Sequence, residues 1–177
     1  RGTRREKPAG LPDKAVKADM PLFLAPQLAT LVEEPPAGNW IYELKFDGYR
    51  IAARIDAEDV RLFTRNGNDW TARLRALRDE LKALRLPPAW IDGEIVMLNT
   101  KGNPDFQALQ NAFDNAKTKD IIFFAFDLPY FGGYDLTRVP LVERRALLQA
   151  VFKDVGTDRL RFSESFDAPV DQLLQGA

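Results

Sequence analysis

Glu43, Lys45 and Asp47 fall at alternate positions of a strand-like run, Trp40-Ile41-Tyr42-Glu43-Leu44-Lys45-Phe46, closed by Asp47-Gly48. A strand over this run carries an amine between two carboxylates on one face. Such a face is costly to bury unpaired, so it either meets solvent with a local ion pair or lines a site. In a site, Lys45 is a nucleophile toward carbonyl carbon or phosphorus. An amine attacks only when deprotonated, and neighbouring carboxylates oppose that, so something cationic has to offset them. Arg50 and Arg65 are the candidates close in sequence, and a divalent metal with its phosphate ligand would serve as well. A second polar cluster, Asp92-Gly93-Glu94, puts two carboxylates on one face of another strand. It reads as a turn or bulge built on Gly93, or as carboxylates that accept from a ribose hydroxyl or help hold magnesium.

Two absences narrow the chemistry. The 177 residues contain neither His nor Cys, which excludes a Ser-His-Asp triad, an imidazole base, a thiol nucleophile and a thiolate or imidazole metal site. What remains is carboxylate, Lys, Arg, Tyr, Ser and Thr chemistry, with a hard, oxygen-liking metal. The balance of 25 basic against 26 acidic residues leaves a net charge of -1, without the strongly basic field of many nucleic-acid binders. No apolar run approaches the roughly 20 residues of a membrane span. The chain begins at Arg1 and stops after Gln175-Gly176-Ala177, so a piece of a longer polypeptide is expected.

The elements that must position these groups are legible from pattern. Residues 1–20, basic and carrying Pro8 and Pro12, lack periodicity and read as a linker or arm ahead of one domain over residues 21–177. Asp47-Gly48 between two alternating runs predicts a hairpin, and a strand at residues 60–65 extends it to a three-stranded antiparallel meander. Leu74, Leu77, Leu81 and Leu84 predict a helix over residues 71–85, its charged faces solvated, stopped by Pro87-Pro88. A strand follows at residues 90–97. A helix then opens with Pro104 at its first position behind an Asn103 cap. The apolar run at residues 121–126 predicts a buried strand that gives way to a loop at Phe126-Asp127-Leu128. Leu141–Phe152 reads as a helix, residues 160–166 as a strand and residues 170–174 as the start of another helix. The class is α+β, built around antiparallel sheets with packed helices.

Taken in order, Lys45-x-Asp47-Gly48-x-Arg50, Thr64-Arg65-Asn66-Gly67, Asp92-Gly93-Glu94-Ile95-Val96 and Phe126-Asp127-Leu128 resemble the signature series of the covalent nucleotidyltransferases, specifically the ATP-dependent DNA ligases. The wording Glu-Leu-Lys-Phe-Asp-Gly-Tyr-Arg around Lys45 and the Phe-Ser-Glu-Ser-Phe run are most similar to the ligase domain of bacterial ligase D, the end-joining ligase.

The resemblance implies a fold and a set of roles. The fold is the adenylation domain of these ligases, an ATP-grasp-like nucleotidyltransferase unit, incomplete at its C-terminus. Lys45 would attack the α-phosphate of ATP and hold AMP. Glu43 would contact the adenine and Phe126 would stack on it. Arg50 and Glu94 would bind the ribose and phosphate region, with Glu94 also near a Mg2+ (or Mn2+) ion. Asp47 would act after lysine adenylation, and Arg65 would contact the 5′-phosphate of a DNA nick. The implied partners are nicked or broken double-stranded DNA, the end-binding protein Ku, and attached polymerase and phosphoesterase modules. The implied setting is the bacterial cytoplasm, at the nucleoid, with no membrane. The family's later Glu-Gly and Lys-x-Lys elements and its oligonucleotide-binding domain do not occur in these residues, so weak or absent activity is expected of the chain alone. Without that missing part, an open apolar seam around Phe124 and Leu160 is expected unless another segment covers them. Two other readings share the residues: an RNA ligase or capping-type nucleotidyltransferase, and a nucleotide- or nucleic-acid-binding module without turnover.

Overall fold

The computed structural model describes residues 10–34, 36–57, 59–155 and 157–166. The helix expected at residues 170–174 lies outside them.

Alternation builds the centre of the fold. In β3 (Tyr49–Asp56) Ile51, Ala53 and Ile55 are fully buried on one face, while Arg50 and Arg54 lie on the other. β4 (Asp59–Thr64) and β5 (Ala89–Val96) pair with β3 on either side, and β6 (Ile122–Phe131) pairs with β5, all antiparallel. β7 (Tyr134–Asp135) and β1 (Val16–Lys17) continue beyond β6, and β8 (Leu160–Phe162) joins β6 in parallel. Against the apolar face pack α1 (Arg75–Ala83) through Leu77 and Leu81, α2 (Phe106–Asp114) through Leu109, and α3 (Leu141–Phe152) through Leu148. Each fully buried Leu or Ile contributes about 1.5–3 kcal/mol relative to exposure.

The expected three-stranded meander is corrected. Only Tyr42–Glu43 form a strand, β2, and it pairs with β9 (Ser165–Phe166) in a separate two-stranded sheet instead of with β3. The cause lies at Gly48, whose amide donates to Glu94 Oε1 at 3.0 Å. A Cβ on Gly48 would stand 2.0 Å from the Ile95 carbonyl oxygen, so the Asp47-Gly48 peptide crosses against β5 instead of folding back as a hairpin turn.

Four boundaries also move. α1 begins at Arg75, because residues 71–74 form turns that return to Trp70. Asp105, not Asn103, caps α2, its carboxylate accepting from the Ala108 amide at 2.9 Å, while Pro104 bridges to Leu98 outside the helix. β6 runs on through Phe126, Asp127 and Leu128 to Phe131, so these residues lie mid-strand, beside a register shift opposite Trp90–Gly93. The single strand predicted at residues 160–166 is broken between β8 and β9, where the Ser163 carbonyl accepts from Arg145. The basic segment read as an arm contributes β1, and its Ala18 carbonyl accepts from the Tyr130 hydroxyl. The apolar seam is absent at the expected residues: Leu160 is 3% exposed, and Phe124 stacks on Phe46 at 4.2 Å.

Candidate active site

Opposite the apolar core, the sheet presents Arg50 from β3, Asp92 and Glu94 from β5, and Phe124 and Phe126 from β6. The segment carrying Lys45 lies against this face and is held at three points. Glu43 forms an ion pair with the buried Arg145. Phe46 stacks on Phe124, and the Gly48 amide donates to the Glu94 carboxylate. A hydrogen bond to a charged acceptor contributes about 1.5–3 kcal/mol. Between these anchors Lys45 and Asp47 are exposed.

Glu94 is the point where the expected groups meet. Burial raises its carboxyl above the ordinary 4.5, opposed by the Gly48 amide and by the positive charges of Lys45 and Arg50, while Asp47 adds to the rise. Arg50 sits beside it in register, its guanidinium 5.2 Å from the Phe126 ring centroid. It donates to both Asp92 oxygens, at 3.1 and 2.6 Å, and to the Gln27 carbonyl at 2.6 Å. Burial pushes the Asp92 carboxyl up, while the hydrogen bond and charge of Arg50 oppose the rise; that same bond raises Arg50. Both Asp92 oxygens accept from guanidinium nitrogens in a bidentate pair. Arg65 reaches the same place from the turn after β4: a groove of about 500 Å³ is lined by Gly48, Arg50, Arg65, Trp70 and Glu94.

Glu43 stands apart from this groove, on the Phe126 side. Its carboxyl is raised above 4.5 by burial, against the attraction of Arg145. Arg145 also donates to the Phe126 carbonyl at 2.9 Å, which ties Glu43 to the strand bearing the aromatic ring. Two further residues belong to this architecture. Arg144 is 4% exposed and donates to both oxygens of Asp127, at 2.8 and 2.9 Å, and to Gln27 Oε1 at 2.9 Å. Gln27 therefore bridges the Arg50–Asp92 and Arg144–Asp127 pairs. Sequence reasoning missed Arg144 and Arg145. The available signal was their place in α3, four and three residues before Leu148, where the buried stripe calls for apolar side chains.

The residues present fit a magnesium ion shared with a nucleotide. Among the described residues there is no cluster of three or more carboxylates that could hold a metal unaided. Magnesium usually takes one or two carboxylates and completes its shell with phosphate oxygens and water, which Glu94 with Asp47 nearby can provide.

An exposed lysine thus lies against a sheet face that presents an arginine paired with a carboxylate, a second carboxylate and an aromatic ring, within an α+β fold. The sequence model of the ATP-dependent DNA ligase domain matches residues 23–175. The chain belongs to the ATP-dependent DNA ligase family. It is 49% identical over its whole length to the multifunctional non-homologous end joining protein LigD of Pseudomonas aeruginosa, of which it covers 20%. It is 38% identical over 133 residues to the LigD of Mycobacterium tuberculosis H37Rv, covering 72% of this chain and 17% of that one. The crystal structure of the M. tuberculosis LigD ligase domain matches with a TM-score of 0.65 at 32% identity, over 78% of this chain and 44% of that domain. Mycobacterial DNA ligase D complexed with ATP and MES matches with a TM-score of 0.63 at 31% identity, over 77% and 43%. The chain thus spans a fifth of the Pseudomonas relative and less than half of either solved ligase domain.

Proposed function

We propose that the chain is the nucleotide-binding and lysine-bearing part of an ATP-dependent DNA ligase that repairs double-strand breaks by end joining. The observation that carries this reading is the convergence on one sheet face of an exposed Lys45, the half-buried Glu94 and the Arg50–Phe126 pair. In the reaction, Lys45 Nζ, having lost a proton, forms a bond to the α-phosphorus of ATP. The bond from that phosphorus to the bridging oxygen breaks and pyrophosphate leaves. The AMP then passes to the 5′-phosphate of a nick, which frees the lysine, and the 3′-hydroxyl attacks that phosphate and expels AMP.

Each residue has a place in this scheme. Phe126 offers a face for the adenine, and Glu43, fixed by Arg145, stands at its edge. Arg50, held by Asp92, presents its charge toward the ribose and phosphates. Arg65 receives the nick's 5′-phosphate, and Asp47 acts in the steps after adenylation. Glu94 would hold magnesium (or manganese), which would supply charge to neutralise the phosphates. Phosphoryl transfer asks chiefly for positioning and charge, so the lack of His and Cys is no handicap. Nicked or broken duplex DNA is the substrate, Ku and linked polymerase and phosphoesterase activities are the partners, and the bacterial cytoplasm at the nucleoid is the setting.

The test is intact mass before and after incubation with ATP and magnesium, beside Lys45→Ala. A gain of one AMP that requires Lys45, and no gain from GTP, is expected of a polypeptide with the complete site. If a chain extended past Ala177 gains nothing, or if Lys45→Ala gains equally, the reading fails.

A further inference from the structure

Beyond Trp70 the molecule carries a second groove, on the side of the α1 and α2 ends. It has a volume of about 950 Å³, and its lining includes Arg73, Arg75, Phe113, Lys117, Lys119 and Asp120. Four cations face one carboxylate there, in a chain whose net charge is -1. All four cations are exposed, and none forms an ion pair with a described residue.

The groove is built, not a loose fringe of side chains. Arg73 lies over the rings of Trp70 and Phe113, at 4.6 and 4.7 Å from their centroids, so its guanidinium is fixed in place. The Thr118 hydroxyl donates to the Arg73 carbonyl at 2.9 Å and fastens the two walls together. Trp70 also lines the groove that holds Arg65, so the indole that seats Arg73 borders that groove as well.

We propose that this groove is a track for the phosphate backbone of duplex DNA, leading away from Arg65. The occupant is argued from charge: exposed arginine and lysine heads that form no ion pair with a described residue, one of them held on two rings, complement a row of phosphates and read no sequence. The inference rests on the reading of the chain as part of a DNA ligase.

The test uses the full chain and a nicked fluorescent duplex, with binding followed by anisotropy over a range of salt concentrations. Lys117→Gln/Lys119→Gln removes two exposed charges that form no ion pair with a described residue. Each lost phosphate contact lowers the slope of log K against log salt by about 0.9, so the double variant loses about 1.8 from the slope and about 60-fold in affinity near 0.1 M salt. Lys117→Arg/Lys119→Arg keeps both. An unchanged slope in the Gln variant, no duplex binding by the parent at low salt, or binding of an acidic polypeptide in preference to the duplex would overturn the proposal. Formation of the Lys45 adduct, measured in the same proteins in the extended chain, separates the two readings. An intact adduct with an unchanged slope removes only the groove, and a changed slope without any adduct removes only the ligase reading.

Discussion

Replacing Asp127 with alanine leaves a guanidinium in the interior without its counter-charge. Arg144 and Asp127 are 4% and 5% exposed, and two of the four short hydrogen bonds of Arg144 go to that carboxylate. The other two go to the Val139 carbonyl and Gln27 Oε1, which are neutral. Stranding one member of a buried pair costs about 3–5 kcal/mol, so Asp127→Ala and Arg144→Met are each expected to lose that much. In Asp127→Ala/Arg144→Met neither position buries a charge. What remains unpaired is neutral, including the Leu128 amide that donates to Asp127 at 2.7 Å, and the double variant is expected to lose about 3 kcal/mol in all. The coupling is then at least about 3 kcal/mol. With a urea slope of about 2 kcal/mol/M it appears as a midpoint about 1.5 M above the additive expectation. Urea denaturation followed through the buried Trp90 reads it directly. If a single variant is unfolded in water, its recovery by the second substitution is the same result. Losses that add, within about 0.5 kcal/mol, would refute the reasoning. They would mean that water in the adjoining cavity of about 280 Å³, lined by Gln27, Asp92, Asp127 and Arg144, already solvates each charge separately.

Two further substitutions probe the lysine-bearing segment. Gly48→Ala places a methyl 2.0 Å from the Ile95 oxygen, which requires the peptide to retreat by about 1 Å and to release Glu94. A shift of that size three residues from Lys45 is expected to slow adduct formation about 100-fold in a polypeptide with the complete site; a rate within threefold of the parent would contradict it. Glu94→Gln tests the sign of a titration. The folded-state carboxyl is raised above 4.5, so the folded chain binds this proton more tightly than the unfolded one, and stability falls as pH rises from that value through the raised one. The parent-minus-variant stability should therefore decline with pH across that window and then level off, and a flat difference between pH-matched denaturation curves would show that Glu94 is not strained by burial.

Much of this was open to a reader of the residues. Alternation in β3, β4 and β5 is visible because one face of the sheet is apolar and the other is not, and the leucine spacing marks α1. The series around Lys45, Arg65, Glu94 and Phe126 points to one site, and Arg50, Arg65 and Glu94 do line one groove. The Asp47-Gly48 turn misled because Asp-Gly between alternating runs favours a hairpin locally, whereas the observed path is set by the nonlocal Gly48–Glu94 contact, 46 residues apart. The carboxylate face around Lys45 divides for a similar reason. Glu43 is drawn to Arg145, which stands 102 positions later in the chain and which no local pattern connects to it. At Gly93 the irregularity expected as one reading of its cluster is present. A Cβ there would meet the Phe123 ring at 2.5 Å, and the same strand irregularity sets Asp92 and Glu94 to their separate partners.

In the proposed reaction the pairing of the arginines makes the lysine site depend on its substrate. Arg50 is bound to Asp92, Arg144 to Asp127 and Arg145 to Glu43, so the guanidinium groups nearest the site already face a carboxylate. They orient the sheet face and rigidify it, but their charge is largely neutralised within the fold. Arg65 is exposed and forms no ion pair with a described residue, so it is available to a phosphate from outside. Glu94 is held in place by a backbone amide, and the positive charges that act on it are those of Lys45 itself and of Arg50, which is already paired with Asp92. In the proposed reaction, Glu94 with Asp47 would hold a magnesium ion whose charge would balance the carboxylates beside Lys45, while Arg50 would meet the nucleotide's phosphates and Arg65 the 5′-phosphate of the nick. The charge balance needed for attack is then complete only when the substrate is bound, which ties reactivity of the lysine to occupancy of the site.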